Sequence, residues 1–380
     1  MKKIYLLSFV LPMTLFGGID DRLDDLEAEM KQVSIYTPQD THGASFAYAR
    51  PEVFGENVFA TFDLLYWHAK VGGSEYAYSF QPSIIQTGSI LLPQLHGRTK
   101  HNDFDWEWGV KVGLGCHLAH DGWDLNAEYT WFESRSSNAS TKASPSALMP
   151  LRLFSEMLAL KAKSHFGLDY HNIDLSLGHS FFISKMVAFR PFVSVKTSWI
   201  DLDQDALYTA SQLNDFLFPG PNQTVGLDFK SKNRSRFWGL GPQIGINSKW
   251  FLGNRFSLFN DLAGSILYGY FQTNYRESIP PDNVQFSYGK IIKNRSKYHR
   301  FVPYIRLYAG LGWERYLNCD KQHIALKFGY EVQYYWRANQ MSQIEDTSNP
   351  AGSFSLRILS QQLSEDVMLY GFTSEFRLDF

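Results

Sequence analysis

The sequence predicts an all-β fold, a transmembrane antiparallel β-barrel of about ten strands behind a short N-terminal helical segment. Three observations carry that expectation. Of 380 residues, 30 Phe, 21 Tyr and 10 Trp make 16% aromatic, and 44% hydrophobic residues coexist with a mean hydropathy of only −0.26. Beyond residue 18 no apolar run approaches the roughly 20 residues that a membrane-spanning helix needs. The hydrophobic residues alternate with polar ones instead, so an average conceals them.

The amino terminus reads as an export signal, residues 1–18. Lys2 and Lys3 precede an apolar stretch from Ile4 to Phe16, and Gly17-Gly18 follow. This layout suits a secretory signal peptide and is too short to span a bilayer; a short buried helix is the other reading. Residues 19–35 form an acidic segment in which Ile19, Leu23, Leu26, Met30 and Val33 occupy a and d heptad positions. Two heptads are marginal alone. A self-associating coiled coil, joining subunits as a homotrimer through residues 19–33, and a solvated helical spacer both fit. Residues 36–56 read as a linker, and the barrel is expected over 57–380.

Within that span, period-2 alternation is clearest from Trp106 to Leu118, where every even position is apolar and every odd one is polar or Gly. Asp121-Gly122 supplies the turn, and Trp123 to Trp131 alternates back, which is a hairpin signal. The pattern recurs in Ile173–Phe182 with Val187–Trp199, in Phe237–Trp250 with Arg255–Tyr268, and in Phe301–Tyr316 with His323–Trp336. A first strand near Val58–Lys70 and a last near Asp366–Phe380 bring the count to ten. Further strands at Glu75–Gln81, Val284–Lys290 or Ser353–Leu359 would raise it to twelve or more. Turns at one end are short, while the loops at the other (71–103, 134–162, 202–233, 272–297 and 338–364) are long. An outer-membrane barrel sorts its connections in this way, with short periplasmic turns and long external loops.

The two faces of the strands differ in charge. One parity carries Trp108, Val110, Val112 and Leu114, then Leu240, Ile244 and Ile246, then Ile305, Leu307 and Leu311, with no Asp, Glu, Lys or Arg among them. A charge there would cost about 2–4 kcal/mol at mid-bilayer. The opposite parity, expected to face a wet lumen, carries Glu107, Lys111, Asp124, Glu128, Arg190, Lys196, Lys249, Arg255, Asp261, Arg306, Glu314, Lys327, Glu331, Glu375 and Arg377. Glycines on that face, among them Gly115, Gly239 and Gly245, are expected to leave space in it. Trp106, Trp131, Trp199, Trp238 and Trp336 sit at long-loop ends of strands, and Trp123, Trp250 and Trp313 at short-turn ends, as two membrane girdles would require. Trp67 alone falls on the inward parity. The alternating end, Phe372, Phe376, Leu378 and Phe380, suits a strand that the barrel-assembly machinery reads.

Several motifs occur in order: Phe62-Asp-Leu-Leu-Tyr-Trp67, His120-Asp-Gly-Trp-Asp-Leu125 with Tyr129-Thr-Trp-Phe132, Ile173-Asp-Leu-Ser-Leu-Gly178 with Arg190-Pro191, Phe237-Trp-Gly-Leu-Gly-Pro242, Gly310-Leu-Gly-Trp313 and Gly329-Tyr-Glu-Val-Gln-Tyr334. Together they resemble the Legionella-type pore-forming outer-membrane family, which includes porin-like major outer-membrane proteins of environmental chlamydiae. The resemblance covers residues 57–380 and implies a passive pore in a Gram-negative outer membrane, with no catalytic residues to transfer.

A diffusion pore for small hydrophilic solutes is therefore the leading expectation, although ten strands make a narrow tube. A structural or adhesin-type barrel with little conductance is the alternative. An enzyme would place His beside carboxylates or Ser at the rim; His165, His171 and His299 lie near outer strand ends, but no motif couples them to a partner. Pro150–Leu160 and Ala206–Phe216 read as short amphipathic helices in external loops, either gating the mouth or packing among loops. Cys116 and Cys319 are too far apart round a barrel for an internal disulfide; reduced thiols and intermolecular cross-links both remain. No cofactor or metal is expected. With 36 basic against 38 acidic residues, nucleic-acid binding is not expected either. N-terminal sequencing of the exported protein is expected to find Gly18 or Ile19 first.

Overall fold

The structure, a computed structural model, describes residues 58–87, 90–118, 123–143, 146–153, 158–184, 186–211, 225–253, 255–279, 290–317, 322–346 and 358–380. The expected signal peptide, acidic segment, linker and Cys319 lie outside them. The strands in chain order are β1 (Val58–Val71), β2 (Glu75–Thr87), β3 (Ile90–His101), β4 (Trp106–His117), β5 (Trp123–Thr141), β6 (Ala147–Pro150), β7 (Leu158–His179), β8 (Phe181–Ser184), β9 (Val187–Ser211), β10 (Val225–Gly253), β11 (Phe256–Ile279), β12 (Lys290–Leu317), β13 (Gln322–Asn339), β14 (Ser342–Asp346), β15 (Ile358–Gln362) and β16 (Glu365–Asp379).

Ten of these close a ring, β1-β4-β5-β7-β9-β10-β11-β12-β13-β16, with every neighbouring pair antiparallel and β16 returning to β1. Thirteen consecutive residue pairs hold the seam, from Phe59 opposite Asp379 to Val71 opposite Val367. Val58 and Phe380 exchange both backbone hydrogen bonds at its end. The additional strands stay out of the ring. β2 and β3 form a hairpin within the first external loop, β14 pairs with β15 in the last, and β8 is a short edge on β9.

Strands β7 and β9 to β12 run well past the aromatic residues that flank the membrane band, and much of what reads as loop in the sequence is strand. The reason is chemical. Above the membrane the outward positions are hydrophilic, so the alternation pairs polar residues outside with mixed residues inside and loses its apolar signature. The described parts of the two expected helices are not helical: Ala147–Pro150 and Leu158 onward are strand, and Ala206–Ser211 continues β9. Their apolar residues recur every second position on a buried inner face, where Ala206 and Tyr208 are both enclosed. The β10–β11 connection is tighter than the sequence implies, with strand to Gly253 (φ 97°) and from Phe256, and Arg255 held at φ 72°.

An aromatic and imidazole row crosses six adjacent strands, Trp131–His171–Trp199–Trp238–Tyr270–His299, each directly opposite the next. Twelve positions down β10 lies Trp250, about 40 Å of strand away, which at barrel tilt is roughly 30 Å of thickness. Between them the outward face is apolar, with Ile244 at mid-height 69% exposed. Ile244→Arg is expected to destabilise the lipid-embedded barrel by about 2–4 kcal/mol. Ser137→Arg, on the outer face above the aromatic row, should stay within about 0.5 kcal/mol. Equilibrium urea unfolding from lipid vesicles reads both.

Candidate functional site: the interior of the barrel

The interior is packed with side chains along its height. At the short-turn end, where the β1–β16 seam brings the last residues of the chain against β4 and β13, Asp379 collects three cationic or imidazole partners. Arg377 Nη2 donates at 2.6 Å, His323 Nδ1 lies 2.8 Å away, and His117 Nε2 lies 3.4 Å away. Arg377 also lies 3.8 Å over the Phe59 ring. Beside them Lys249 pairs with Glu314, and Arg190 Nε donates to Asp124 at 2.7 Å.

At mid-height the charges meet across the lumen. Lys111 of β4, 1% exposed, lies 3.2 Å from Glu331, 3.6 Å from Asp63 and 3.7 Å from Glu128. Arg306 of β12 reaches Glu331 at 3.1 Å and Glu128 at 3.4 Å. Two cations therefore share two carboxylates drawn from β5 and β13, on different sides of the ring. Lys196 pairs with Asp174 at 3.2 Å, and Lys327 with Glu375 at 3.1 Å. Neutral groups complete the shells: Thr373 Oγ1 and Gln333 Nε2 donate to Glu331, and Asn172 donates to Asp174. Burying charge is costly unless the ions are paired and hydrogen-bonded; here Lys111 and Arg306 serve three carboxylates, and Asp63 Oδ1 and Arg306 Nε are buried without a hydrogen-bond partner.

Above the ions comes an aromatic layer. Trp67 donates to Thr373 at 3.0 Å, and Tyr170 donates to Gln333 and contacts the Tyr335 hydroxyl, each at 2.8 Å. Lys196 Nζ sits 4.2 Å from the centre of the Tyr304 ring, a cation–π contact that joins the two layers. Trp67, Tyr170 and Tyr335 are fully buried, and they merge into an apolar cluster with Phe132, Ile200, Phe237, Phe271 and Leu369.

The first external loop packs against the strands above this layer. Phe104 stacks edge-on against Phe166, and Asn102 donates to Ser74 and Ser164. Arg152 is buried against the same loop, with Nε donating to the Glu75 carbonyl at 2.7 Å and Nη2 to the Gly73 carbonyl. Burial pushes this guanidinium below its ordinary range, opposed by Tyr208, Glu75 and Tyr275.

Residues 57–380 match the family described as Legionella pneumophila major outer membrane protein precursor. This chain belongs to that family. It is an outer-membrane β-barrel protein, which agrees with the sorted connections, the apolar band and the aromatic row. Among curated proteins no sequence matches it. Solved structures similar to it include the outer membrane protease OmpT from Escherichia coli, at 11% identity over 87% of this chain and 98% of that one, with a TM-score of 0.40. A Pseudomonas aeruginosa FadL homologue is similar at 10% identity, 85% and 91% coverage and a TM-score of 0.26. The P. putida toluene transporter TodX follows at 10% identity, 89% and 93% coverage and a TM-score of 0.29. None of these likenesses carries a functional argument.

Of the charged residues that the sequence assigns to the inner face of this outer-membrane barrel, most meet in the two ionic clusters. Glu107 stands half-buried near the outer end, and Arg255 lies exposed in the β10–β11 turn instead of in the wall. Most of the interior charges are paired, and Gly115, Gly239 and Gly245 leave no open space beside them, because an added Cβ would lie 2.2 Å from the Phe59 ring at Gly115, 2.5 Å from Phe237 at Gly239 and 2.3 Å from Phe192 at Gly245. Sequence reading missed Asp63, Asp174 and Asp379, and it treated the inward Trp67 as an exception when it is a member of the aromatic layer. Period 2 was the available signal, since Asp63, Leu65 and Trp67 share one parity and all three are buried.

The girdle residues face outward: Trp106, Trp123, Trp131, Trp238, Trp250 and Trp336 are exposed, and Trp199 and Trp313 half-buried. Phe372, Phe376 and Phe380 are exposed on the same face, and Cys116 is a half-buried free thiol. His171 lies 2.8 Å from the Tyr129 hydroxyl, and His299 stacks on Tyr268. His165 stands opposite Asp205, whose carboxylate is taken by Lys232 at 2.9 Å. Glu331→Gln, which leaves Lys111 and Arg306 short of a charge, is expected to cost about 3–5 kcal/mol, against less than about 0.5 kcal/mol for Glu107→Gln. Urea unfolding of the refolded barrel tests the difference.

Proposed function

We propose that this barrel is an outer-membrane pore for small hydrophilic solutes whose resting state is closed by its own side chains. One observation carries the reading: an unbroken column of charged and hydrogen-bonding groups fills the membrane-spanning interior, from Asp379 and Glu314 at the short-turn end through Lys111, Glu331 and Arg306 to the Tyr170–Tyr335 pair. A ten-stranded barrel required only to fill its interior does so at lower cost with apolar side chains, because each buried ion must recover its lost hydration. A solute path needs polar walls. The alternative, a structural barrel with little conductance, draws on the complete burial of Trp67, Tyr170 and Tyr335 across the lumen. No catalytic role is proposed: His171 and His299 support an interfacial role through their aromatic contacts. Recognition of the Phe372–Phe380 end by the assembly machinery, and trimerisation through residues 19–33, belong to the same reading.

Planar-bilayer recording of the refolded protein decides between the two readings. The wild type is expected to show small, brief openings. Tyr170→Ala with Tyr335→Ala, which removes the aromatic layer, should raise the open fraction by about tenfold, the effect of some 1.4 kcal/mol on the closed state. If neither protein conducts while both show the heat-dependent gel shift of a folded barrel, the structural reading replaces the pore.

A further inference from the structure

Above the aromatic row the outer surface of the barrel is not uniform. On β10 the outward positions beyond Trp238 are Arg236, Arg234 and Lys232, and β9 answers each with a carboxylate. Arg236 lies 3.7 Å from Asp201, Arg234 is 2.5 Å from Asp203, and Lys232 is 2.9 Å from Asp205. That side of the sheet neutralises itself.

The other side does not. Across β11 and β12 the same three levels read Gln272 with Lys297, Asn274 with Arg295, and Arg276 with Lys293. Arg276, Lys293, Arg295 and Lys297 are all exposed, and among the described residues none has an ion-pair partner. Arg276 stands directly opposite Lys293, a like-charge pairing that destabilises a sheet unless an anion lies between. Neighbouring strands are about 4.8 Å apart and successive levels about 7 Å, so the four cations lie within reach of one multiply charged headgroup.

Depth identifies that anion. The lowest cationic level, Arg236–Gln272–Lys297, is two residues beyond Trp238–Tyr270–His299, the row at the membrane interface. The next zone outward holds lipid headgroups, and it lies on the side of the long loops, which is the outer leaflet. We propose that the outer faces of β11 and β12, with the adjoining edge of β10, bind the phosphate groups of a phosphorylated outer-leaflet glycolipid. Arg276, Lys293, Arg295 and Lys297 are the principal contacts, and Trp238, Tyr270 and Tyr268 rest against the acyl chains below. Guanidinium and ammonium groups bind phosphate strongly through charge-assisted hydrogen bonds, and clustered basic residues at a bilayer surface attract anionic headgroups additively.

The test uses the refolded protein and phosphatidylcholine vesicles doped with bis-phosphorylated lipid A or with lipid A stripped of its phosphates. Lipid retained after detergent extraction is counted by mass spectrometry. The wild type is expected to retain the phosphorylated form preferentially. Arg276→Gln, Lys293→Gln, Arg295→Gln and Lys297→Gln combined should weaken that retention at least about tenfold. Lys161→Gln with Lys163→Gln, on the outer face of β7, should leave it unchanged. If the fourfold variant does not fold, the Arg276→Gln, Lys293→Gln pair gives the same reading at smaller amplitude. Equal retention of the dephosphorylated lipid, undiminished retention by a folded variant, or complete displacement by millimolar inorganic phosphate would each overturn the proposal.

Discussion

The constraint on which everything else rests is backbone hydrogen bonding in hydrocarbon. With no water to satisfy an unpaired N–H or C=O, a sheet within a bilayer must have no edge. The chain meets this by bringing its last strand against its first, with thirteen residue pairs along β1 and β16 and a reciprocal bond between Val58 and Phe380. Ten strands then enclose a volume close to what their own side chains occupy. Closure thus dictates a filled lumen before any question of function arises.

A filled lumen in turn dictates how charges are used. Lys111, at 1% exposure, remains tolerable because Glu331, Asp63 and Glu128 surround it, and Glu331 because Arg306, Thr373 and Gln333 join Lys111 on it. These partners come from β1, β4, β5, β12, β13 and β16, so the ionic cluster ties together strands that the backbone ladder joins only through their neighbours. Phe59, Phe192 and Phe237 perform a related task beside the inner-face glycines, restoring packing where a side chain is lacking.

Much of the architecture was legible because lipid imposes a strict rule on one face. Leu240, Ile244 and Ile246 had to be uncharged, and that regularity identified the ring strands, their number and their outward side. The rule lapses beyond the aromatic row. There Arg234 and Asp203 replace apolar residues at the same parity, and strands that continue for several more residues read as loops. The inner face was legible only as a list. Period 2 assigns Lys111 and Glu331 to the interior, but their meeting depends on the tilt and register of strands 220 residues apart in sequence, which no local pattern encodes. Asp63 and Trp67 were ambiguous for a further reason: β1 carries bulky residues on both faces, so apolar parity alone could not orient it.

The same geometry bears on how such a barrel would conduct. Since the backbone ladder is complete, a path for solutes has to come from side chains. Lys111 has three carboxylates within 3.7 Å and Arg306 has two within 3.4 Å, with Glu331 and Glu128 common to both. An arrangement with more acceptors than one cation needs allows each charge to exchange partners without passing through an unpaired state, which is the expensive one in a low-dielectric interior. A single isolated ion pair in the same place would have no such route. The aromatic layer has less freedom, because Tyr170 and Tyr335 are packed on all sides and hold each other through their hydroxyls. In the proposed pore, therefore, the ions would be the part suited to rearrangement, and the tyrosines above them the part that holds the lumen closed.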